Sequence, residues 1–180
     1  MSQESPLFLL QSMRQQALEL AAQGLSYATQ SAGTKNIAYV VNGLHFYCEA
    51  SLIKEVSVCE NLVPVPQTKT WMRGLINSKG TLYSVNDLSL LAGFERPIAV
   101  NKGHLLLIND ESNQCAMLVN KVIGFRYFDT SQQMQDIEAN QIDLGGLGSY
   151  VQEGYHADEE DWFCLDLNSL ISSEQFREVQ

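Results

Sequence analysis

From Asn36 onward the chain is written in short apolar runs, each cut off by residues that turn a backbone. Asn36–Val41 and Leu44–Glu49 flank Asn42-Gly43, whose two positions both tolerate a positive φ, so the segment reads as a two-residue hairpin. Ile53, Val56, Val58 and Leu62 lead to Val63-Pro64-Val65-Pro66, where two prolines force an extended path. Leu75–Asn77 and Thr81–Asn86 flank a turn at Ser78-Lys79-Gly80, and Asp87 is placed to cap a short helix, Leu88–Ala92, that stops at Gly93. The pattern restarts after Pro97 with His104–Asn109, Gln114–Asn120 and Val122–Phe128. A polar stretch, Ser131–Gln141, follows, then strands at Tyr150–Glu153 and Trp162–Asp166 and a closing helix over Asn168–Arg177. Runs this short and this closely spaced leave a mostly β architecture of small sheets as the fold class.

Two segments echo each other. Val85-Asn86-Asp87-Leu88-Ser89-Leu90-Leu91 ends the first strand series and Leu165-Asp166-Leu167-Asn168-Ser169-Leu170-Ile171 ends the second. Each carries a strand into Asp or Asn and then into an apolar helical turn, which points to two packed β-barrels. Ahead of them, Leu7, Leu10, Met13, Ala17, Leu20 and Ala21 recur at helical spacing up to Gly24, and Ser26–Lys35 is linker-like. The expected organisation is a helix and linker over 1–35 and one domain over 36–175. That domain holds two barrel subdomains divided near 95–100, with the ends free to cross over.

The formal net charge of −10, from 11 Lys and Arg against 21 Asp and Glu, argues against a nucleic-acid partner, which needs a basic face. The charge is unevenly spread. Residues 1–128 carry 9 acids and 10 bases, while residues 129–180 carry 12 acids and one base, Arg177. Leu7–Leu10 is too short for a signal-peptide core, and no run approaches a membrane span, so a cytoplasmic protein without membrane insertion is expected. Cys48, Cys59, Cys115 and Cys164 lie far apart beside apolar runs and read as buried or half-buried free thiols.

Catalytic logic is thin. His45 follows a hairpin turn, His104 begins a strand, and His156 reads as part of an acidic loop; none has a metal partner at ligand spacing. Gly74–Thr81 lacks the glycine that a phosphate loop needs before its lysine, and Gly145-Gly146-Leu147-Gly148 opens no helix and reads as a flexible loop. Asp158–Asp161 reads as a solvated acidic turn rather than a calcium loop. No cofactor and no metal are expected.

The most informative stretch is 61–93, where Lys69, Arg73 and Lys79 are the only charges between Glu60 and Asp87. With its flanks it presents, in order, Ile53-Lys54-Glu55-Val56, Val63-Pro64-Val65-Pro66, Trp71, Gly74-Leu75-Ile76-Asn77-Ser78-Lys79-Gly80 and Ser84-Val85-Asn86-Asp87-Leu88. This succession resembles the CheW family of chemotaxis coupling proteins and extends more loosely through Cys115–Gly124, covering about residues 36–170. Pro6-Leu7-Phe8 with Leu9-Leu10, and Trp162-Phe163 before the closing helix, resemble the PilI branch, which serves the array controlling type IV pili and twitching motility.

The resemblance implies two five-stranded SH3-like β-barrels sharing a hydrophobic interface. It also implies a non-catalytic adaptor between the cytoplasmic hairpin of a transmembrane chemoreceptor and the regulatory domain of a CheA-type histidine kinase, held at receptor arrays beneath the inner membrane. Carried over position by position, the receptor or kinase groove uses Ile53, Glu55, Val56, Gly74, Asn77, Lys79 and Val122. Two positions depart from the family: Lys79 stands where the family has Arg, and Ser84 where it has Pro. Gly74→Arg is expected to block the groove and spare the fold. The competing reading is a small hydrolase or transferase on paired barrels, which requires a buried, perturbed Cys, His or Asp in a closed pocket.

Overall fold

The computed structural model describes residues 34–135 and 142–178. The expected helix over 7–24, its linker up to residue 33 and part of the polar stretch over 131–141 lie outside the described residues. The chain from Thr34 forms two five-stranded sheets with a few short helices. Ten strands follow in order: β1 Asn36–Val41, β2 Leu44–Glu49, β3 Ile53–Val58, β4 Met72–Ser78, β5 Thr81–Asp87, β6 His104–Ile108, β7 Cys115–Val119, β8 Lys121–Arg126, β9 Val151–Ala157 and β10 Glu160–Leu165. Helix α1 is Leu88–Leu91, α2 Leu167–Ser172 and α3 Glu174–Arg177.

One sheet, A, runs β8-β1-β2-β10-β9; the other, B, runs β3-β6-β7-β5-β4. Sheet B is therefore one uninterrupted stretch of chain inserted between β2 and β8, and sheet A is assembled from what lies on either side. The chain changes sheet after Glu49 and again between Val119 and Lys121, not near 95–100. The reason is in the pairing: β10 lies parallel to β2 and β5 parallel to β7, so each sheet takes a late strand next to an earlier hairpin.

The two sheets follow one plan. Val85 pairs with Ala116, Ala116 with Leu107 and Leu107 with Glu55; Cys164 pairs with Tyr47, Tyr47 with Ala38 and Ala38 with Gly124. Val85 and Cys164 each stand two residues before a helix-capping aspartate, Asp87 and Asp166. The sequence echo is thus real but shifted by one residue, because the cap and not the strand end sets the alignment. Bulges recur as well: Lys54 is the extra residue of β3 and Ile123 the extra residue of β8. Each sheet also curls. Val63, beyond β3, bridges Leu75 of β4, and Gln133, beyond β8, bridges Tyr155 of β9, so the two outer edges of each sheet approach one another.

Period-two burial sorts the side chains into three clusters. Leu106 and Ile108 of β6, with Cys115, Met117 and Val119 of β7, meet Ile37, Tyr39, Val41 and Phe46 of sheet A in the largest, shared core. Leu105, Leu107, Ala116 and Leu118 face the other way, onto Ile76, Tyr83, Val85 and Ile98, and fill sheet B. Sheet A is filled by Tyr47, Tyr155, Trp162 and Phe128 with Ala38, Ala157 and Cys164. Central strands buried on both faces explain why β6 and β7 read as continuous apolar runs.

Several local expectations change. His156 sits on strand β9, not in a loop, because β9 runs on to Ala157 and the turn is only Asp158-Glu159, both at positive φ. The closing helix is two helices, since Ser173 breaks the run and caps α3 through its hydroxyl. Gly145–Tyr150 is a 3-10 helix rather than a flexible loop. A Cβ on Gly145 would sit 2.4 Å from the Ala92 carbonyl oxygen, and the Gly146 amide donates to that oxygen at 2.7 Å, so the glycines let this segment close over the end of α1. Its Leu147 is fully buried in the shared core.

Candidate functional site

The residues singled out from sequence fall in four places. Ile53, Glu55 and Val56 lie on β3, Gly74 and Asn77 on β4, and Lys79 in the β4–β5 turn. Val122 lies on β8 of the other sheet and packs, as Ile53 does, against the shared core.

The curl of sheet B joins β3 to the β4–β5 turn. Lys79 Nζ donates to Glu55 Oε2 at 2.6 Å, and Lys54 Nζ donates to the Tyr83 hydroxyl at 3.2 Å across the same closure. Asn77 acts within the turn: its Oδ1 accepts from the Gly80 amide at 2.9 Å, which fixes a two-residue loop with Lys79 at φ 51° and Gly80 at φ 85°. The Asn77 carbonyl oxygen is thereby committed, and Asn77 shapes the site by presenting Lys79. The Lys79 side chain is 79% exposed against 30% for Glu55, so the pair is a surface contact of modest strength and its ammonium is available to a partner.

Gly74 has a different role from the one expected. It is buried at a bulge, with φ 143°, and a Cβ there would lie 2.3 Å from the Val63 carbonyl oxygen. The Val63 amide donates to Leu75 O at 2.9 Å and the Leu75 amide to Val63 O at 2.8 Å, so Gly74 is where the Val63–Pro66 strap crosses β4. Any side chain displaces the strap. Gly74→Arg therefore disrupts this part of the fold itself and cannot serve as a clean block of a groove.

Asp87, the last residue of β5, is fully buried and holds four partners. Its carboxylate accepts from Arg73 Nη1 at 2.8 Å, from the Ile98 amide at 2.9 Å, and from the Ser89 and Leu90 amides at the start of α1. The capping role was legible from Asp87-Leu88-Ser89; the ion pair to Arg73, fourteen residues earlier, was not. Trp71, two residues before Arg73, stacks on Phe176 of α3 with ring centroids 5.5 Å apart, which ties α3 to the start of β4.

Sequence reasoning missed the outward-facing apolar residues. Val58 is 56% exposed on β3, and Ile123, Phe125 and Tyr127 are exposed along and just beyond β8. Lys35 lies over the Phe125 ring, 3.7 Å from its centroid. By the ladder correspondence, Val56 matches Phe125 and Val58 matches Tyr127, so both sheets show two apolar side chains at the same places on an outer strand. In sequence, residues 122–128, most of β8 and its continuation, read Val-Ile-Gly-Phe-Arg-Tyr-Phe, a run that looks buried throughout; only Gly and Arg within it mark a departure from a buried strand.

Cys48 and Cys115 are buried and Cys59 and Cys164 half-buried, all as free thiols. Desolvation pushes Cys115 up to about 12 and Cys164 to about 11, so neither is a thiolate at neutral pH. His45 faces Glu160 at 3.4 Å and His156 faces Asp161 at 2.7 Å, so two of the histidines brace the acidic β9–β10 hairpin. Among the described residues no group of three or more His, Cys, Asp or Glu is arranged to hold a metal ion, and no helix is long and apolar enough to cross a membrane.

Two nested five-stranded sheets with a shared core, a strapped β4 and a glycine-turned β4–β5 loop define a class. The CheW-like domain model matches residues 37–175, and the chain belongs to that family. The crystal structure of the scaffolding protein TtCheW from Thermoanaerobacter tengcongensis superposes with a TM-score of 0.66 at 15% identity, over 81% of this chain and 92% of that one. Within the family, the chain is 24% identical to Protein PilI of Pseudomonas aeruginosa over 180 residues, 98% of this chain and 97% of the relative.

Proposed function

We propose that this protein is a non-catalytic adaptor of a chemosensory array controlling type IV pili, joining the cytoplasmic hairpin of a chemoreceptor to a CheA-type histidine kinase. Full-length similarity to Protein PilI supports the pilus assignment, and the CheW-like domain supports the coupling role. The observation that carries the reading is the β3 edge: exposed Val56 and Val58, alternating along the strand with Glu55 of the Glu55–Lys79 pair, on a strand fixed by its bulge and by the strap across the sheet. An apolar strip with one ordered ion pair suits an amphipathic helix, where aliphatic side chains supply contact area and the charges set register. Ile53 and Val122, both half-buried against the shared core, would floor the site, with Asn77 and Gly74 holding its shape. The raised thiols favour this reading over a nucleophilic hydrolase or transferase. Such an adaptor would work in the cytoplasm, against receptor arrays at the inner membrane.

Size-exclusion chromatography of the chain with a receptor cytoplasmic fragment and the kinase regulatory domain tests it. A stable ternary complex is expected, with Glu55→Lys weakening receptor retention about tenfold, in line with loss of a charge contact at an interface. A chain that elutes alone beside both partners would overturn the reading.

A further inference from the structure

Asn42 is the one asparagine in the chain that is followed by glycine, and the pair forms the tip of the β1–β2 hairpin. Both residues are exposed, at φ 51° and φ 85°. Neither the Asn42 carboxamide nor the Gly43 N–H enters a hydrogen bond among the described residues, and a Cβ built on Gly43 would meet nothing within 4 Å. What restrains Asn42 is its own backbone N–H, which donates to Asn120 Oδ1 at 2.7 Å. The Asn120 amide donates in turn to Val40 O at 2.9 Å, so the junction of β7 and β8 clasps the hairpin tip. Other asparagines are placed differently. Asn36, Asn77, Asn109 and Asn113 hold their carboxamides in hydrogen bonds. Asn61, Asn101 and Asn168 are exposed but precede Leu62, Lys102 and Ser169, whose side chains crowd the following amide.

We propose that Asn42 is a self-modification site, converting without an enzyme to isoaspartate and aspartate in the folded chain, and that Asn120 is the positioning residue that slows it. The Gly43 amide nitrogen loses its proton and attacks Asn42 Cγ. The N–Cγ bond forms, the Cγ–Nδ2 bond breaks, and Nδ2 leaves as ammonia. Water then opens the five-membered imide, at the Cγ carbonyl to give aspartate or at the main-chain carbonyl to give isoaspartate. Nothing is oxidised or reduced, and water is the one co-reactant. The reaction is intramolecular, so its rate follows how often the two groups meet in the attacking pose. A glycine leaves that approach open, and the Asn120 clasp makes it rarer. Either product adds a negative charge to the turn. Isoaspartate also runs the backbone through the side-chain carbons, lengthening a two-residue loop by one atom and working against the Val41–Leu44 register. Ageing would thus loosen the hairpin where it meets the crossing between the sheets. The inference does not depend on the adaptor reading.

Mass-spectrometric peptide mapping of the full chain, incubated folded at neutral and mildly alkaline pH and digested in acid, tests it. The peptide bearing Asn42 should gain the mass of an amide turned acid and split into two isomers, with isoaspartate the larger. It should convert at least about tenfold faster than those bearing Asn61, Asn101 or Asn168, where a side chain hinders the attack. The rate should climb with hydroxide, because the attacking amide must lose its proton. Asn120→Ala, at an exposed position whose backbone hydrogen bond is kept, should speed conversion about fivefold, the ratio that one ordinary hydrogen bond sustains. Asn120→Asp, which keeps an acceptor, should stay near the wild-type rate, and Asn42→Gln should show no conversion. An Asn42 peptide that stays intact in the folded chain while converting in urea, or that converts no faster than the other three, would overturn the site. A folded Asn120→Ala variant that converts at the wild-type rate would overturn the clasp.

Discussion

Sheet A and sheet B share strand order, bulges, turns and capping aspartates, and differ in what fills and ties them. Sheet B is lined mainly with aliphatic side chains and is tied by a buried carboxylate; sheet A is lined with aromatics and tied by a half-buried one. Asp87 holds Arg73, Ile98 and α1 together, whereas Asp166 caps α2 through Ser169 and reaches Gln152 at the surface. In sheet A the equivalent cohesion comes from ring contacts. Trp162 lies under the Arg126 guanidinium, 4.2 Å from it, and Tyr47, Phe128 and Tyr155 pack at centroid distances of 4.3 to 6.1 Å. The same topology therefore accepts either solution. Polar ties are geometrically exact and fragile; stacked rings are tolerant and spread the load.

Breaking the ties ranks these differences. Asp87→Ala strands Arg73 and the Ile98 amide and should cost about 3–5 kcal/mol, the range for removing one partner of a buried pair. Asp166→Ala removes a cap at the surface and should cost only about 1 kcal/mol. Urea denaturation of both variants measures the contrast; equal losses would erase it.

Glycines sharpen it further. Gly74→Ala must push the Val63 carbonyl aside as well as hold an unfavourable φ, and should cost about 3 kcal/mol or more. Gly124→Ala, at φ 134° with open space around the new Cβ, meets only the backbone strain and should cost about 1–2 kcal/mol. Thermal melts of the two variants check the order.

The shared core offers a change of opposite sign. The Tyr39 hydroxyl is fully buried between the sheets and has no hydrogen-bond partner among the described residues. Tyr39→Phe should therefore stabilise the protein by about 1 kcal/mol, the desolvation cost of one unsatisfied group, seen as a higher urea midpoint at unchanged m.

The smallest effect is acidic. Burial alone would raise the Asp166 carboxyl, but hydrogen bonds from Ser169, Asn168 and Gln152 outweigh it and hold the group below the ordinary carboxylate value. A depressed folded-state pKa means that its contribution is present above the unfolded pKa and lost as pH falls through the folded one. Asp166→Asn should flatten the stability profile slightly below about pH 4, where an unperturbed Asp titrates. An unchanged profile there would make the cap electrostatically idle.

Most strands were legible because alternation and turn residues are local signals. Asn42-Gly43 and Lys79-Gly80 announced their hairpins, and Asp87-Leu88-Ser89 announced a capped helix. The parallel partners β10 and β5 were not legible, since nothing within Trp162–Leu165 says that it will lie beside His45–Tyr47. The bulges at Lys54 and Ile123 were hidden for the same reason: an extra residue exists only relative to a partner strand. At the site, the family pattern marked Glu55 and Lys79, which meet, but misread Gly74, whose requirement comes from a carbonyl eleven residues upstream.

The insertion of sheet B into sheet A also orders events on the ribosome. By the time Val119 has left the exit tunnel all five strands of sheet B exist, while the β1–β2 hairpin still lacks its neighbours β8 and β10. Until then Tyr39 and Phe46 have only the back of sheet B to shelter against, so the nascent chain carries an open aromatic face for the time needed to synthesise about 46 more residues, several seconds at ordinary elongation rates. Proteolysis of chains stalled after β8 should cut the β1–β2 hairpin and spare β3–β7; the reverse pattern would show that the outer sheet waits on nothing.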